Sequence, residues 1–447
     1  MQCYFCRHMY KDFSRTLKIA TPLIISNVAQ TGLGLIDSAM IGAVDYRQLA
    51  ASSLVINIIS IAQVLGMGMA IAISPLVAIA NGQNNSYQAS KVLFNGFILS
   101  TLAATIIAAL LAFTSHLLFH LGQDREVATL ALPFYKLIAW SLIPMLMFAA
   151  VKQFCDGLEF TKTAMTLSLI SLPLNAFLNW IFIYGRFGFP RMELAGAGLG
   201  TLITRVLIAV VLIIIVLKHK IFKPYILARA TAWKIDTNTW KELLQIGVPT
   251  SLQYGMEVAA FSLSGIIIGW LGATSQAAHQ IALNLATATF MAAAGLSLGG
   301  SIRVANAYGR NERGLLRNIG TSTIGGGLIY GCVCALLFIL FRNQLPLLFT
   351  NNTEVATISS ALLVFAALFQ ISDATQSIGV GLLRGMKDVK TPTLFVAIAY
   401  WLIGIPVGYF LSFNLHMGAS GIWLGFVTGL SASSILLNTR FLKKSKL

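Results

Sequence analysis

The chain has 447 residues, of which 57% are hydrophobic and only 10% are charged, and its mean hydropathy is +0.78. Apolar runs of about twenty residues recur along its length, which excludes the soluble globular classes and indicates a polytopic helical membrane protein. The net charge of +16 would suggest nucleic acid in a soluble protein. Here the basic residues cluster in alternate loops, so we expect a lipid bilayer and no nucleic acid as the partner.

The apolar runs between polar segments predict twelve transmembrane spans. All are predicted to be helices, because the hydrocarbon core offers no water to the open edge of a strand. The predicted spans are residues 16–42, 48–72, 92–115, 128–150, 163–184, 194–217, 243–270, 277–301, 319–341, 356–382, 392–413 and 418–439.

Lysine and arginine are distributed unevenly between two sets of loops. If the N-terminus is cytoplasmic, 24 of these residues lie in the inside set and 6 in the outside set, with Arg205 inside a span. Positive residues accumulate on the cytoplasmic side of membrane proteins. The sequence therefore predicts a multi-pass membrane protein with both termini in the cytoplasm.

An internal repeat divides the chain near its middle. A shift of 227 aligns residues 22–84 with residues 249–311 without a gap, with 13 of 63 positions identical. An even number of helices in each half makes the two copies parallel, related by an axis along the membrane normal. We predict an N-terminal six-helix lobe at residues 1–217, a cytoplasmic linker at 218–242 and a C-terminal six-helix lobe at 243–447.

Three carboxylates lie well inside predicted spans: Asp37, Glu257 and Asp373. A charge at the centre of a membrane helix costs on the order of 2.5 kcal/mol or more, so such a residue usually faces a water-filled cavity or a partner. We expect these acids to bind a coupling cation and a cationic substrate in turn. The alternative is an acid neutralised by a proton or by a base within the membrane, and Arg205 is the only base in the middle of a span.

Span five carries two amides, Asn175 and Asn179, whose spacing of four places them on one helix face. Neutral oxygens suit hard cations such as sodium, so both amides could face Asp37 as ligands. Hydrogen bonding between helices, worth about 0.6 kcal/mol per contact, stays open as the alternative. Gln30 and Thr201 complete the polar side chains that we expect at the cation or substrate.

The glycine-rich segment of residues 196–201 fits neither a dinucleotide-binding loop nor a P-loop, and indicates close helix packing instead. No catalytic motif or metal-ligand cluster appears in the sequence, so the chain is not expected to be an enzyme. Aromatic residues and one methionine could line a pliable apolar cavity, or could pack in the core or against lipid. These candidates are Tyr254, Phe261, Phe290, Met291 and Phe369.

An ordered set of segments resembles the multidrug and toxic compound extrusion (MATE) transporters. The resemblance rests on Pro22, on residues 37–42 and on residues 277–284. Residues 301–304 and 383–388 are similar to the NorM subgroup of that family in particular. The resemblance extends over nearly the whole chain.

The resemblance implies a V-shaped pair of six-helix lobes that exports amphipathic organic cations, such as drugs or dyes. Export would be driven by inward flow of sodium ions or protons, through rocker-type alternating access. Acids matching Glu257 and Asp373 would form the cation site of the C-terminal lobe, which would hold sodium if the coupling ion is sodium. Asp37 would belong to a polar site in the N-terminal lobe. We expect no cofactor beyond the coupling ion, and a monomer.

One position departs from the family pattern, because a tyrosine often stands where this chain has Phe369, one helical turn before Asp373. The departure removes a possible oxygen ligand from a sodium site. The alternative function is a flippase for lipid-linked precursors from the same superfamily. Its anionic substrate would call for a basic cavity, whereas this chain places three acids and one arginine within its spans.

Overall fold

The computed structural model describes residues 2–120, 125–227 and 229–446, with side chains from Asp12 onward. Within these residues, twelve helices are long and apolar enough to cross a membrane. They are α1 Asp12–Gly42, α2 Tyr46–Gly82, α3 Ser86–His120, α4 Arg125–Gly157, α5 Thr161–Tyr184, α6 Glu193–Lys218, α7 Thr237–Gly269, α8 Ala273–Gly309, α9 Arg313–Leu340, α10 Thr353–Gly385, α11 Lys390–Asn414 and α12 Ala419–Lys444. The prediction of an all-α protein with twelve spans is confirmed.

Three helices continue well beyond the apolar runs that predicted them. The ends of α2, α4 and α8 lie 10, 7 and 8 residues past the predicted positions. The prediction stopped where the bilayer core would be crossed, at about 20 residues. The added turns are almost entirely buried in the protein, so packing rather than lipid stabilises them.

Packing divides the chain into two compact units. The C-terminal unit consists of Leu252–Leu447 together with Met1–Ile24, and the N-terminal unit consists of Ile25–Ser251. The chain passes between the units within α1 and within α7, and the two crossing points are 227 residues apart, the offset of the internal repeat. The units therefore do not end at the predicted lobe boundaries of residues 217 and 243.

The predicted linker packs on the N-terminal unit. It begins with a 3₁₀ turn and two short helices, Lys223–Leu227 and Arg229–Ala232. Trp233 stacks on Phe94 of α3 with ring centroids 5.6 Å apart. Asp236 forms a 3.0 Å ion pair with Lys91 of the same helix. Thr239 of α7 donates hydrogen bonds to Asp236 from its side chain and its backbone. Together with Lys91, these bonds lower the pKa of Asp236 to about 2.

The first turns of α1 pack on α8 within the C-terminal unit. Arg303 of α8 forms a buried ion pair with Asp12, with 3.1 Å between Nη2 and Oδ1. Further along α1, a Cβ atom added to Gly295 would lie 2.8 Å from the backbone nitrogen of Ile24. Only glycine permits this approach of the two helices.

Equivalent turns of the two halves share an unusual backbone conformation. Asn84 and Asn311, which are equivalent in the repeat, have φ angles of 54° and 57°. Glu159 and Lys387, equivalent at a shift of 228, have φ angles of 67° and 60°. Asparagine tolerates left-handed backbone better than most residues, which explains its presence at the same turn of both halves.

Helix α11 is irregular, and its first irregular segment lines a cavity of the C-terminal unit. Residues Ile398–Gly404 and Phe410–Asn414 are π-helical, a conformation that is rare and frequently found at functional sites. Gly425 of α12 packs against the first π-helical segment, because a Cβ there would clash with the Gly404 carbonyl oxygen. This segment carries Tyr400, which is buried and lines a cavity of the C-terminal unit.

Candidate functional site

In the N-terminal unit, Asp37 is held from both sides by hydrogen bonds. The Asn179 amide donates to Oδ1 at 2.6 Å, and the Thr201 hydroxyl donates to Oδ2 at 3.0 Å. Asn175 donates to the Thr201 hydroxyl at 3.3 Å, and its own oxygen accepts from Asn179 at 3.4 Å. The structure thus brings together four predicted polar residues, with the amides donating to the acid network.

A cavity of about 200 Å³ adjoins this network. Asp37, Thr201 and the predicted residue Gln30 line it, and α2 and α4 contribute apolar side chains such as Ile59 and Phe134. Arg205, one turn after Thr201 on α6, also lines the cavity and donates a 2.7 Å hydrogen bond to a serine of α4.

In the C-terminal unit, Glu257 of α7 and Asp373 of α10 line one cavity of about 20 Å³. The Gln253 amide donates to Glu257 Oε1 at 3.0 Å, from one turn earlier on the same helix. Tyr254 and Phe290, both predicted as lining residues, also face this cavity. Two acids that are distant in sequence therefore line the same small cavity.

Seven further lining residues of this cavity were not predicted from the sequence, and two of them, Arg384 and Tyr400, bear most on its chemistry. Arg384 was counted as a loop charge, but it lies in the last turn of α10, is buried, and has its guanidinium carbon 5.7 Å from the centre of the Tyr254 ring. A signal existed, since Arg384 matches the charged Asp156 at the repeat shift of 228. Tyr400 lines the cavity through the π-helical segment, and a sequence pattern gives no warning of that segment.

The remaining predicted lining residues do not face this cavity. Phe261 and Phe369 instead belong to an adjoining aromatic cluster, with ring centroids 6.1 Å apart. Phe261 also lies against Tyr400 at 5.7 Å, so the cluster packs directly beside the cavity. Met291 is half-buried and is not among the described lining residues. Aromatic pairs of this kind favour edge-to-face packing, which removes both phenylalanines from the cavity wall.

The charges of the two cavities differ. With all groups ionised, the described lining of the N-terminal cavity has one carboxylate and one guanidinium group, whereas that of the C-terminal cavity has two carboxylates and one guanidinium group. A buried charge without a partner is costly, so the C-terminal cavity favours the uptake of one cation or proton. No group of three or more His, Cys, Asp or Glu residues that could hold a metal ion occurs in the described part of the chain.

Comparison with known proteins identifies the family to which this twelve-helix chain belongs. The sequence model of the MatE family matches residues 22–181 and again residues 249–410. The chain belongs to the MatE family. The two matches begin 227 residues apart, which is the offset of the internal repeat, so each half corresponds to one copy of the MatE unit. The predicted resemblance to MATE transporters is confirmed.

Relatives and solved structures of MatE proteins agree over almost the full length. The multidrug resistance protein NorM of Vibrio cholerae is 34% identical over 442 residues, covering 97% of this chain and 96% of NorM. The multidrug resistance protein MdtK of Proteus mirabilis is 32% identical over 437 residues, covering 96% and 95%. The crystal structure of the eukaryotic MATE transporter AtDTX14 matches with a TM-score of 0.87 at 20% identity, covering 98% of each chain. That structural match shows the shared fold.

Proposed function

We propose that this MatE protein is a secondary active multidrug efflux antiporter of the bacterial inner membrane, with both termini in the cytoplasm. It exports amphipathic organic cations in exchange for Na⁺ or H⁺ by rocker-type alternating access. The observation that carries the proposal is the pair of acids, Glu257 and Asp373, in one small cavity within membrane-spanning helices. The printed names of NorM and MdtK support multidrug substrates.

The sizes of the two cavities suggest a division of tasks. About 20 Å³ is close to the room that one water molecule needs, so the C-terminal cavity accepts an ion or a water but no organic molecule. About 200 Å³ is enough for part of an organic substrate, and this cavity combines apolar walls with Asp37. We therefore assign the coupling ion to the C-terminal unit and the organic cation to the N-terminal unit.

Tyr400 supplies the hydroxyl that Phe369 lacks. Its side chain lines the cavity that contains Glu257 and Asp373, and it comes from α11 rather than α10. Carboxylate and hydroxyl oxygens together are suitable ligands for a hard cation. Sodium coupling therefore stays available to this chain despite the phenylalanine at position 369.

Coupling then follows from the conformational equilibrium. Ion and substrate sit in different units, so exchange requires each ligand to favour a different state of the transporter. A ligand shifts such an equilibrium only by its difference in affinity for the two states. Neutralising the acid pair at Glu257 and Asp373 with an ion or proton is the charge change that would produce this difference.

The flippase alternative would require an excess of basic groups around its anionic substrate. The described lining of the two cavities contains three carboxylates and two guanidinium groups, Arg205 and Arg384. The sequence indicated three acids and one arginine, and Arg384 adds a second basic group. The acidic groups in the described lining still outnumber the basic ones. A cationic cargo is the better match.

The decisive experiment measures efflux of the cationic dye rhodamine 123 from proteoliposomes under a sodium gradient or a proton gradient, imposed separately. We expect one gradient to drive efflux in the wild type, and Glu257→Gln and Asp373→Asn to abolish it. The matched control is Glu354→Gln, an exposed carboxylate on the same helix as Asp373. Efflux at the wild-type rate in Glu257→Gln, or no efflux of any cationic dye under either gradient, would refute the proposal.

A further inference from the structure

Arg205 is a charged residue in the N-terminal cavity for which cation antiport has no use. It lies on α6 four residues after Thr201, so both side chains project from the same helix face. Thr201 contacts Asp37, and all three residues line the cavity. A cavity intended only for organic cations would gain nothing from a guanidinium group beside its single acid.

Arg205 is not simply the counter-ion of Asp37. Among the described residues, it forms no ion pair within the 4 Å that defines such a contact. Both oxygens of Asp37 instead accept hydrogen bonds from neutral groups, Asn179 and Thr201. The two charges therefore stand apart while they line one cavity.

A serine holds the guanidinium group in place. Nη1 of Arg205 donates to the Ser141 hydroxyl at 2.7 Å, and that hydroxyl donates to the carbonyl oxygen of Ile138 at 2.7 Å. In the described part of the chain this is the only hydrogen bond of the Arg205 side chain. A guanidinium group has five N–H donors in a planar fork, so most of them are available to a ligand.

We propose that Arg205 forms an anion subsite, and that the N-terminal cavity binds zwitterionic amphiphiles with a carboxylate on Arg205 and a cationic group towards Asp37. A guanidinium fork matches a carboxylate in two parallel hydrogen bonds, which are stronger than bonds between neutral groups. Asp37 and Arg205 are the only ionisable groups among the described lining residues, so the cavity as a whole is neutral when both are charged. This inference rests on the proposed function and specifies its substrate class.

Two dyes that differ only in whether one carboxyl group is free or methylated test the proposed anion subsite. Rhodamine 123 is the methyl ester of rhodamine 110, so the first is a cation and the second carries a free carboxylate on the same ring system. Binding of each dye to the full-length protein in lipid nanodiscs is measured by fluorescence anisotropy. We expect Arg205→Gln to weaken rhodamine 110 by about tenfold or more, because a charged hydrogen bond is lost, and to leave rhodamine 123 within about twofold.

Matched variants identify the role of each group. Arg205→Lys should recover part of the rhodamine 110 affinity, because it restores the charge without the fork. Ser141→Ala should weaken rhodamine 110 by less than Arg205→Gln, since it removes only the positioning contact. Asp37→Asn should weaken both dyes, because both carry the cationic ring system.

The proposal is overturned if Arg205→Gln weakens both dyes equally or weakens neither. If that variant does not fold, benzoate competition on the wild type decides, because benzoate should displace rhodamine 110 at lower concentrations than rhodamine 123. Equal displacement of the two dyes would also overturn it. Failure of the antiport proposal is seen separately, as absence of gradient-driven rhodamine 123 efflux from wild-type proteoliposomes.

Discussion

At the scale of single residues, the acids of the two units are held differently. Both oxygens of Asp37 accept hydrogen bonds, so its carboxylate is oriented before any ligand arrives. Glu257 accepts one hydrogen bond, from Gln253, and Asp373 accepts none from the described residues. Oxygens without protein donors are the ones available to a metal ion or a proton. The difference supports ion binding at Glu257 and Asp373, and substrate orientation at Asp37.

The hydroxyl of Tyr400 gives a direct test of the ion site. If the sodium gradient is the one that drives efflux, we expect Tyr400→Phe to raise the Na⁺ concentration for half-maximal dye efflux by about two- to tenfold, the range for loss of one neutral polar contact. The control is Tyr409→Phe, an exposed tyrosine of the same helix. An unchanged sodium dependence in Tyr400→Phe would show that its hydroxyl is no ligand.

The sequence predicted the acids and amides of the site better than its walls. Carboxylates inside apolar runs stand out, because lipid makes them costly, and the structure does place them at cavities. The burial of Arg384 was not predicted, because this residue lies at the end of a helix that continues beyond the apolar run. Phe369 was predicted to line the cavity, because the sequence does not show which neighbour an apolar side chain packs against. Hydrophobicity predicts burial but not the partner.

At the scale of helices, the long ends of α2 and α4 pack through glycine. A Cβ at Gly157 would lie 2.6 Å from the Ser74 carbonyl oxygen. Gly385, its equivalent in the other half, would meet the Ser301 carbonyl oxygen at the same 2.6 Å. The recurrence of glycine at these two positions of the repeat thus has one steric cause in both units.

Substitution of either glycine should destabilise its unit. We expect Gly157→Ala and Gly385→Ala each to lower the free energy of unfolding by about 1–3 kcal/mol, the usual cost of overpacking. Thermal unfolding in detergent measures the effect. Gly314→Ala is the control, because no atom lies within 4 Å of an added Cβ there. If all three variants unfold alike, steric contact is not the reason for these glycines.

The attachment of the 218–242 segment to α3 depends on an ionised Asp236. Its pKa of about 2 is below the ordinary value of 3.8, so the ionised acid stabilises the attachment above about pH 4. That stability is lost as the pH falls towards 2. Hydrogen exchange of residues 229–236 should therefore be equally protected from pH 5 to 8, and Asp236→Asn should reduce the protection throughout that range.

Lys91 provides the matched partner for this measurement. Lys91→Met should reduce the same protection, because it removes the 3.0 Å ion pair with Asp236. The double variant should be less affected than the sum of the two single variants, which is the signature of a direct contact. Additive effects, or loss of protection already at pH 6, would contradict the assignment.

At the scale of the whole molecule, the repeat and the packing units do not coincide. Twelve spans and an internal repeat follow from apolar length and sequence identity, and both are observed. The assignment of residues 1–24 to the C-terminal unit could not be predicted. The apolar pattern of a helix identifies which face is buried, but it does not identify which half of the chain packs against that face. The same exchange occurs at the equivalent point of α7, so it is a property of the repeat.

A proline lies two residues before each crossing point, Pro22 in α1 and Pro249 in α7. Each lacks the N–H group that would bond to the carbonyl one turn earlier, which weakens the helix where the chain changes unit. We expect Pro22→Ala and Pro249→Ala each to slow rhodamine 123 efflux several-fold in proteoliposomes, without lowering the temperature of unfolding. Pro133→Ala is the control, since Pro133 lies inside α4 and within one unit. Equal slowing by all three would mean that helix flexibility in general, and not its placement at the crossing points, limits transport.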